Sequence, residues 1–275
     1  MARTWKAVLA VSLALAISSG AMAQEVKLQL EGSTTVGPIA DAFKEYFEKA
    51  EGWKIEVNKT GSGDGAAALV DSRCDIANMS RFMKEKEFKA AAEKGVMPVA
   101  HVVAMDGVCV VVNPKNSVSA LTTAQVRDIY AGKITNWKEL GGPDQKIVVI
   151  SRDTSSGTYE TFHKLVMGKG TKMVGQVEYV NSNPQAQARV QTTAGAIGYV
   201  GLAFQKGVKT LKVDGVLPSA RTVVSGKYPV SRPLFMFTNG YPKLGSPVYL
   251  FVTFHLTEKG QDIVSSKGYV PVTDY

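Results

Sequence analysis

The sequence predicts an α/β fold whose ligand site lies on its loops, because one supersecondary unit recurs three times. In each, a short apolar run with strand character passes into a turn rich in glycine, serine and threonine, and then into a helical pattern. The loops all leave the C-terminal ends of strands, where open α/β sheets bind their ligands. Three chance helix caps explain this recurrence less well than one shared anion.

In the first unit, Val26-Lys27-Leu28-Gln29-Leu30 alternates like a strand and runs into Gly32-Ser33-Thr34-Thr35-Val36-Gly37-Pro38. Ile39, Ala42, Phe43, Tyr46 and Phe47 follow at helical spacing, with Pro38 suited to a first turn. Gly32 to Gly37 has the spacing of a nucleotide phosphate loop, but Pro38 stands where that loop needs lysine, which excludes it. The second unit is a strand over 54–58, the turn Thr60-Gly61-Ser62-Gly63-Asp64-Gly65 and a short helix over 66–71. A buried strand over 75–79 then ends in Ser80 and Arg81, before an exposed helix over 85–94.

The third unit is the richest. Ile147 to Ile150 reads as a strand, and Tyr159, Phe162, Leu165 and Val166 as the apolar face of a helix. Between them lies Arg152-Asp153-Thr154-Ser155-Ser156-Gly157-Thr158, almost wholly hydrogen-bond donors. A helix start offers unpaired N–H groups and positive partial charge. Gly157 lets backbone approach closely, Ser156 and Thr158 add hydroxyls, and Arg152 adds a planar, permanently charged fork.

The rest of the chain narrows the class. Residues 1–23 carry a basic head (Arg3, Lys6), an apolar stretch and the small-x-small site Ala21-Met22-Ala23, so a secretory signal peptide cleaved before Gln24 is expected. No cysteine follows that site, so no lipid anchor is expected, and the protein is placed in the periplasm. The formal net charge of +8 suits a soluble protein that attracts anions, but the lysines are scattered without a basic-aromatic stripe, which argues against nucleic acid. His101, His163 and His255 lack metal-ligand spacing and no CxxC or HExxH occurs, so no metal or other cofactor is expected. Cys74 and Cys109 are the only cysteines. In an oxidising compartment such a pair is more often bridged than free, so a Cys74–Cys109 disulfide is one expectation and two buried free thiols the other.

Taken together, GSTT at 32–35, TGSGDG at 60–65, DIANMSR at 75–81 and SRDTSSGT at 151–158 resemble, in order and spacing, the phosphate-binding proteins of bacterial ABC phosphate importers. The likeness continues through Gly195-Ala196-Ile197-Gly198-Tyr199 and the C-terminal TEKGQ and GYVP segments. It implies a type II periplasmic binding protein: two α/β lobes joined by two crossovers, with phosphate in the cleft. The expected division is 24–112 for the first part of lobe 1, 113–229 for lobe 2 and 230–275 for the return to lobe 1, with a first crossover strand over 108–112, further lobe-2 strands over 177–180 and 196–200, and the return near 229–237.

The resemblance places the ligand contacts on Ser33 and Thr34, with Thr35 close behind, on Ser62 and Ser80, and on Arg152, Ser156, Gly157 and Thr158, with Asp64, Arg81 and Asp153 as lower-ranked candidates. It also exposes a departure. Ser80, followed by Arg81, stands where many relatives carry an aspartate that accepts the proton of hydrogen phosphate. A carboxylate acceptor is the simple way to reject sulfate, which has no proton to offer. Asp64 or Asp153 can take that role; alternatively Asp64 caps its own turn and Asp153 holds Arg152, since Thr154 replaces the usual acidic partner. The implied partner is an inner-membrane ABC permease, and the implied state a monomer without catalysis. A receptor for sulfate, molybdate or tungstate is the competing reading. An exported phosphatase is less well supported, since no GxSxG elbow occurs.

Overall fold

The computed structural model describes residues 25–173 and 175–273; the signal peptide expected over 1–23 lies outside them. In chain order the strands are β1 (Lys27–Gly32), β2 (Lys54–Asn58), β3 (Ile76–Met79), β4 (Pro98–Val112), β5 (Ala120–Leu121), β6 (Val148–Arg152), β7 (Val177–Val180), β8 (Ala196–Gly201), β9 (Lys209–Thr210), β10 (Lys212–Val213) and β11 (Ser231–Asn239). The helices are α1 (Gly37–Glu51), α2 (Ser62–Val70), α3 (Glu85–Glu93), α4 (Thr123–Tyr130), α5 (Gly157–Phe162), α6 (Asn183–Thr192), α7 (Ala220–Val224), α8 (Pro247–Thr253) and α9 (Glu258–Ser266). Among the described residues the main sheet runs β2-β1-β3-β11-β4-β8-β6-β7, with β9 also against β4; β5 and β10 form a separate ribbon.

Two lobes share this sheet. In lobe 1, β1 runs parallel to β2 and β3, and β11 lies antiparallel between β3 and β4. In lobe 2, β6 runs parallel to β7 and β8. The strand β4 belongs to both: Pro98–Gly107 pairs with β11, and Val108–Val112 pairs with β8. Its change of partner at Gly107–Val108 falls ahead of the boundary expected at residue 112. The return at Val230–Ser231 lies directly beside it, with Val108 N donating to the Val230 carbonyl at 2.8 Å. The two crossovers therefore form a single antiparallel pair.

Each lobe has its own core. Lobe 1 packs Leu30, Ile39, Phe43, Phe47, Phe251 and Phe254 on one sheet face and Leu69, Met79, Met83 and Phe237 on the other. Lobe 2 packs Val110, Tyr130, Trp137, Ile150, Phe162 and Tyr199. Alternation along β1 buries Leu28 and Leu30, while every residue of β3 is buried, as befits a strand covered on both faces.

Three local features differ from expectation. The glycine-rich TGSGDG segment is mostly helix, since α2 begins at Ser62. Its glycines serve close packing: a Cβ on Gly65 would lie 2.8 Å from the Glu31 carbonyl oxygen and 2.9 Å from the Gly32 Cα. The second difference is that β4 begins well before Val108. The third is the cysteines, both of which are free. Cys74 packs beside the second lobe-1 cluster while Cys109 lies in the lobe-2 core, so the lobe division keeps them apart. Burial pushes the Cys74 thiol up to about 12 and that of Cys109 well above the ordinary range, which makes both unreactive.

Burial also holds His255 down at about 4, against an ordinary 6.5. The unfolded chain takes up a proton between these values that the folded chain refuses, so stability falls as pH drops through this window. Thermal midpoints should decline over that range, and His255→Gln, which cannot charge, should flatten the decline. An unchanged slope in the variant would contradict the assignment.

Candidate functional site

The three loops meet. Ser33, Thr34, Thr35, Gly61, Ser62, Ser80, Arg152, Ser156, Gly157 and Thr158 line one small, tightly drawn-in cavity between the lobes. The loop after β1 turns through Gly32 at φ +126°, where a Cβ would lie 2.3 Å from the Asn78 carbonyl oxygen. This close approach delivers Ser33, whose Oγ accepts from Thr35 N and Val36 N. Ser62 opens α2, and its Oγ accepts from Ser80 N at 3.0 Å. Opposite them, Ser156 caps α5 by accepting from Thr158 N and Tyr159 N. A Cβ on Gly157 would lie 2.5 Å from both Ser62 Oγ and Ser80 Oγ, so only glycine lets the lobes meet this closely.

Arg152 is the charge at the centre. It is 1 % exposed at the end of β6, where Tyr199 OH accepts its backbone N–H and contacts Ser151 Oγ. Its Nε donates to the Val180 carbonyl, and Nη2 donates to the Asn181 carbonyl at 2.8 Å and to Thr34 Oγ1 at 3.3 Å. Its Nη1 has no partner among the described residues. Burial lowers this guanidinium to about 10, so it stays charged at neutral pH. Among the described residues no carboxylate lies within ion-pair distance of it: Asp153, whose charge still raises the guanidinium, turns Oδ1 to Ser155 N, Ser155 Oγ and Ser156 N, and its buried Oδ2 has no hydrogen-bond partner there. The expectation that Asp153 holds Arg152 is corrected, because two main-chain carbonyls do so.

Two further lower-ranked residues also lie outside the cavity. Asp64 is exposed in the first turn of α2. Arg81 forms a bidentate pair with Glu87 at 2.7 and 2.8 Å and faces a neighbouring groove, because α3 places its carboxylate across the strand end.

Sequence reasoning missed the layer behind the cavity. Asn183 Nδ2 donates to Thr34 Oγ1 at 3.2 Å and to Thr35 Oγ1 at 2.9 Å, while its Oδ1 accepts from Gly201 N. Arg232 pairs with the fully buried Asp106 at 2.8 Å and donates through Nη2 to Thr158 Oγ1 at 2.9 Å and Thr35 Oγ1 at 3.3 Å. Burial raises the Asp106 carboxyl, opposed by Arg232 and the Leu202 N–H. The available signal was the lone charge within each apolar crossover strand. The lobes also meet at the rim through a Lys84–Glu160 ion pair.

A cleft of buried donors between two lobes on crossed strands defines a solute-binding protein with an anion site. The chain belongs to the PBP superfamily, whose domain model matches residues 18–257, and within it to the PstS phosphate-binding proteins. It is 35 % identical over 254 residues to the phosphate-binding protein PstS of Bacillus subtilis, covering 90 % of this chain and 81 % of the relative. It is 31 % identical to PstS of Borreliella burgdorferi, covering 89 % and 90 %. The phosphate-bound structure of a putative phosphate ABC transporter substrate-binding protein from Clostridium perfringens superposes with a TM-score of 0.82 at 34 % identity, covering 90 % of this chain and all of that one.

The buried pair behind the cavity is a structural requirement. Removing one partner of such a pair costs about 3–5 kcal/mol, because the other charge is left unmatched. Asp106→Ala should lose stability of that order in chemical denaturation; a loss below about 1 kcal/mol would show that Arg232 finds another counter-charge.

Proposed function

We propose that this protein captures inorganic phosphate between its closing lobes and delivers it to an ABC importer. The observation that carries this reading is Arg152: a buried guanidinium without a carboxylate partner, its Nη1 unpaired among the described residues, amid hydroxyls from both lobes. A tetrahedral anion supplies the missing negative charge and enough oxygens for the surrounding donors. The relatives named as phosphate-binding proteins, and the phosphate bound in the Clostridium perfringens structure, support phosphate as that anion.

The assigned contacts are Ser33, Thr34, Thr35, Ser62, Ser80, Arg152, Ser156, Gly157 and Thr158. Lobe 1 brings neutral donors, and lobe 2 brings the charge and a helix start. Anion binding favours the closed arrangement because only there do both sets reach it. No bond is made or broken: neither a histidine nor a carboxylate lines the cavity, so no hydroxyl there has a general base beside it. Residues 1–23 would direct the chain to the periplasm, where it acts as a monomer docking on an inner-membrane permease.

Heat unfolding with and without inorganic phosphate tests this reading. Ligand at a hundred times its Kd stabilises the folded state by about 2.7 kcal/mol. The wild-type midpoint should rise accordingly, and Arg152→Ala should remove most of the rise while leaving the unliganded midpoint nearly unchanged. An equal rise in the variant would contradict the role given to Arg152.

A further inference from the structure

We infer that the Ser62–Ser80 hydroxyl pair is the proton acceptor of the site and selects protonated tetrahedral oxyanions, such as hydrogen phosphate and hydrogen arsenate, over sulfate. This assignment rests on the reading of the cavity as a phosphate site and adds the means of discrimination that the replacement of an aspartate by Ser80 removes.

The polarity of each hydroxyl follows from a count of its lone pairs. A serine or threonine hydroxyl has one hydrogen to donate and two positions at which to accept. Ser33 Oγ accepts from Thr35 N and Val36 N, and Ser156 Oγ accepts from Thr158 N and Tyr159 N. Thr34 Oγ1 accepts from Arg152 Nη2 and Asn183 Nδ2. For these three hydroxyls both accepting positions are taken, so each can only donate to a ligand.

Thr35 and Thr158 resolve in the same way. Thr35 Oγ1 accepts from Asn183 Nδ2 and shares with Thr158 a hydrogen of Arg232 Nη2. The two hydroxyls lie 3.0 Å apart and either can donate; with both accepting positions of Thr35 engaged, we assign the hydrogen between them to Thr35. Thr158 thus accepts from Arg232 and Thr35, and its hydrogen is released toward the cavity. The layer formed by Asp106, Arg232 and Asn183 therefore fixes the polarity of the site: it makes the hydroxyls in front of it donors.

Ser62 and Ser80 are different. Ser62 Oγ accepts from Ser80 N at 3.0 Å, and the two Oγ atoms lie 3.3 Å apart with either able to donate. Whichever way that bond runs, one hydrogen is consumed between them, one remains, and at least one accepting position stays uncovered. The pair therefore presents a donor and an acceptor together. Neither nearby carboxylate lines the cavity: Asp64 is exposed, and Asp153 turns Oδ1 to its own loop while its buried Oδ2, without a partner among the described residues, stays outside the lining.

A protonated oxyanion needs one acceptor among many donors, and this pair is where the cavity offers it. Sulfate would bring an oxygen lone pair against the same position. Two neutral hydroxyls repel it less than a carboxylate would, so the discrimination they give is the milder kind.

Calorimetric titration of the full protein with inorganic phosphate and with sulfate, at one pH, tests the assignment. Ser62→Ala/Ser80→Ala should lower the phosphate-to-sulfate affinity ratio by about tenfold or more, tenfold corresponding to 1.4 kcal/mol. Thr158→Val removes a hydroxyl assigned as donor only. It should weaken both anions together and leave the ratio within about threefold. Should the double variant fold poorly, Ser80→Asp carries the test alone, raising the ratio by about tenfold. An unchanged ratio in the double variant, a Thr158→Val effect on the ratio as large as the double variant's, or a fall in the ratio for Ser80→Asp would overturn the assignment. A wild-type protein that binds sulfate or molybdate and ignores phosphate would contradict the phosphate reading itself, and the assignment would fall with it.

Discussion

The structure is organised around one buried positive charge that makes no direct ion pair with any carboxylate among the described residues. A guanidinium removed from water is costly, and proteins ordinarily offset this with a carboxylate. Here Val180 and Asn181 supply carbonyls to Arg152, which orient the guanidinium without neutralising it. The closed arrangement brings hydroxyls from the opposite lobe around the same charge, so a small anion is the partner that completes both lobes at once. Lobe closure and ligand binding are then two descriptions of one equilibrium.

A second charge is treated in the opposite way, and the contrast explains the division of labour. Arg232 is paired with Asp106, and that pair bridges adjacent crossover strands at Asp106 of β4 and Arg232 of β11. Its remaining donor capacity goes to Thr35 and Thr158, one from each lobe. The crossover pair thus supports the hydroxyls that line the cavity, with Asn183 performing the same service from the start of α6. On the function proposed above, Arg152 is left for the ligand while Arg232 fixes the geometry around it.

Much of this was legible in the sequence because it depends on local pattern. Strands β2 and β7 follow directly from their short runs, and the donor loops from glycine and hydroxyl residues placed just beyond strands. The nine residues given to the ligand line one cavity because each loop leaves the end of its strand and the two halves of the sheet turn these ends toward each other. What stayed hidden depends on tertiary pairing. Asn183 reads as an ordinary residue in a helix start, and Asp106 and Arg232 are 126 positions apart. Arg81, adjacent to a site serine, looks like a ligand residue until α3 brings Glu87 across to it. The cysteines were misread for a related reason: both lie near strands, but the strands serve different cores.

The central claim is that separate loops converge their donors on a single anion through Arg152. A crystal structure of the protein grown with inorganic phosphate tests it most directly. One phosphate is predicted between the lobes, with an oxygen on Arg152 Nη1 and others on hydroxyls of Ser33, Thr34, Ser62, Ser156 and Thr158. Phosphate bound elsewhere, or a cleft whose two faces hold no common anion under saturating phosphate, would contradict it.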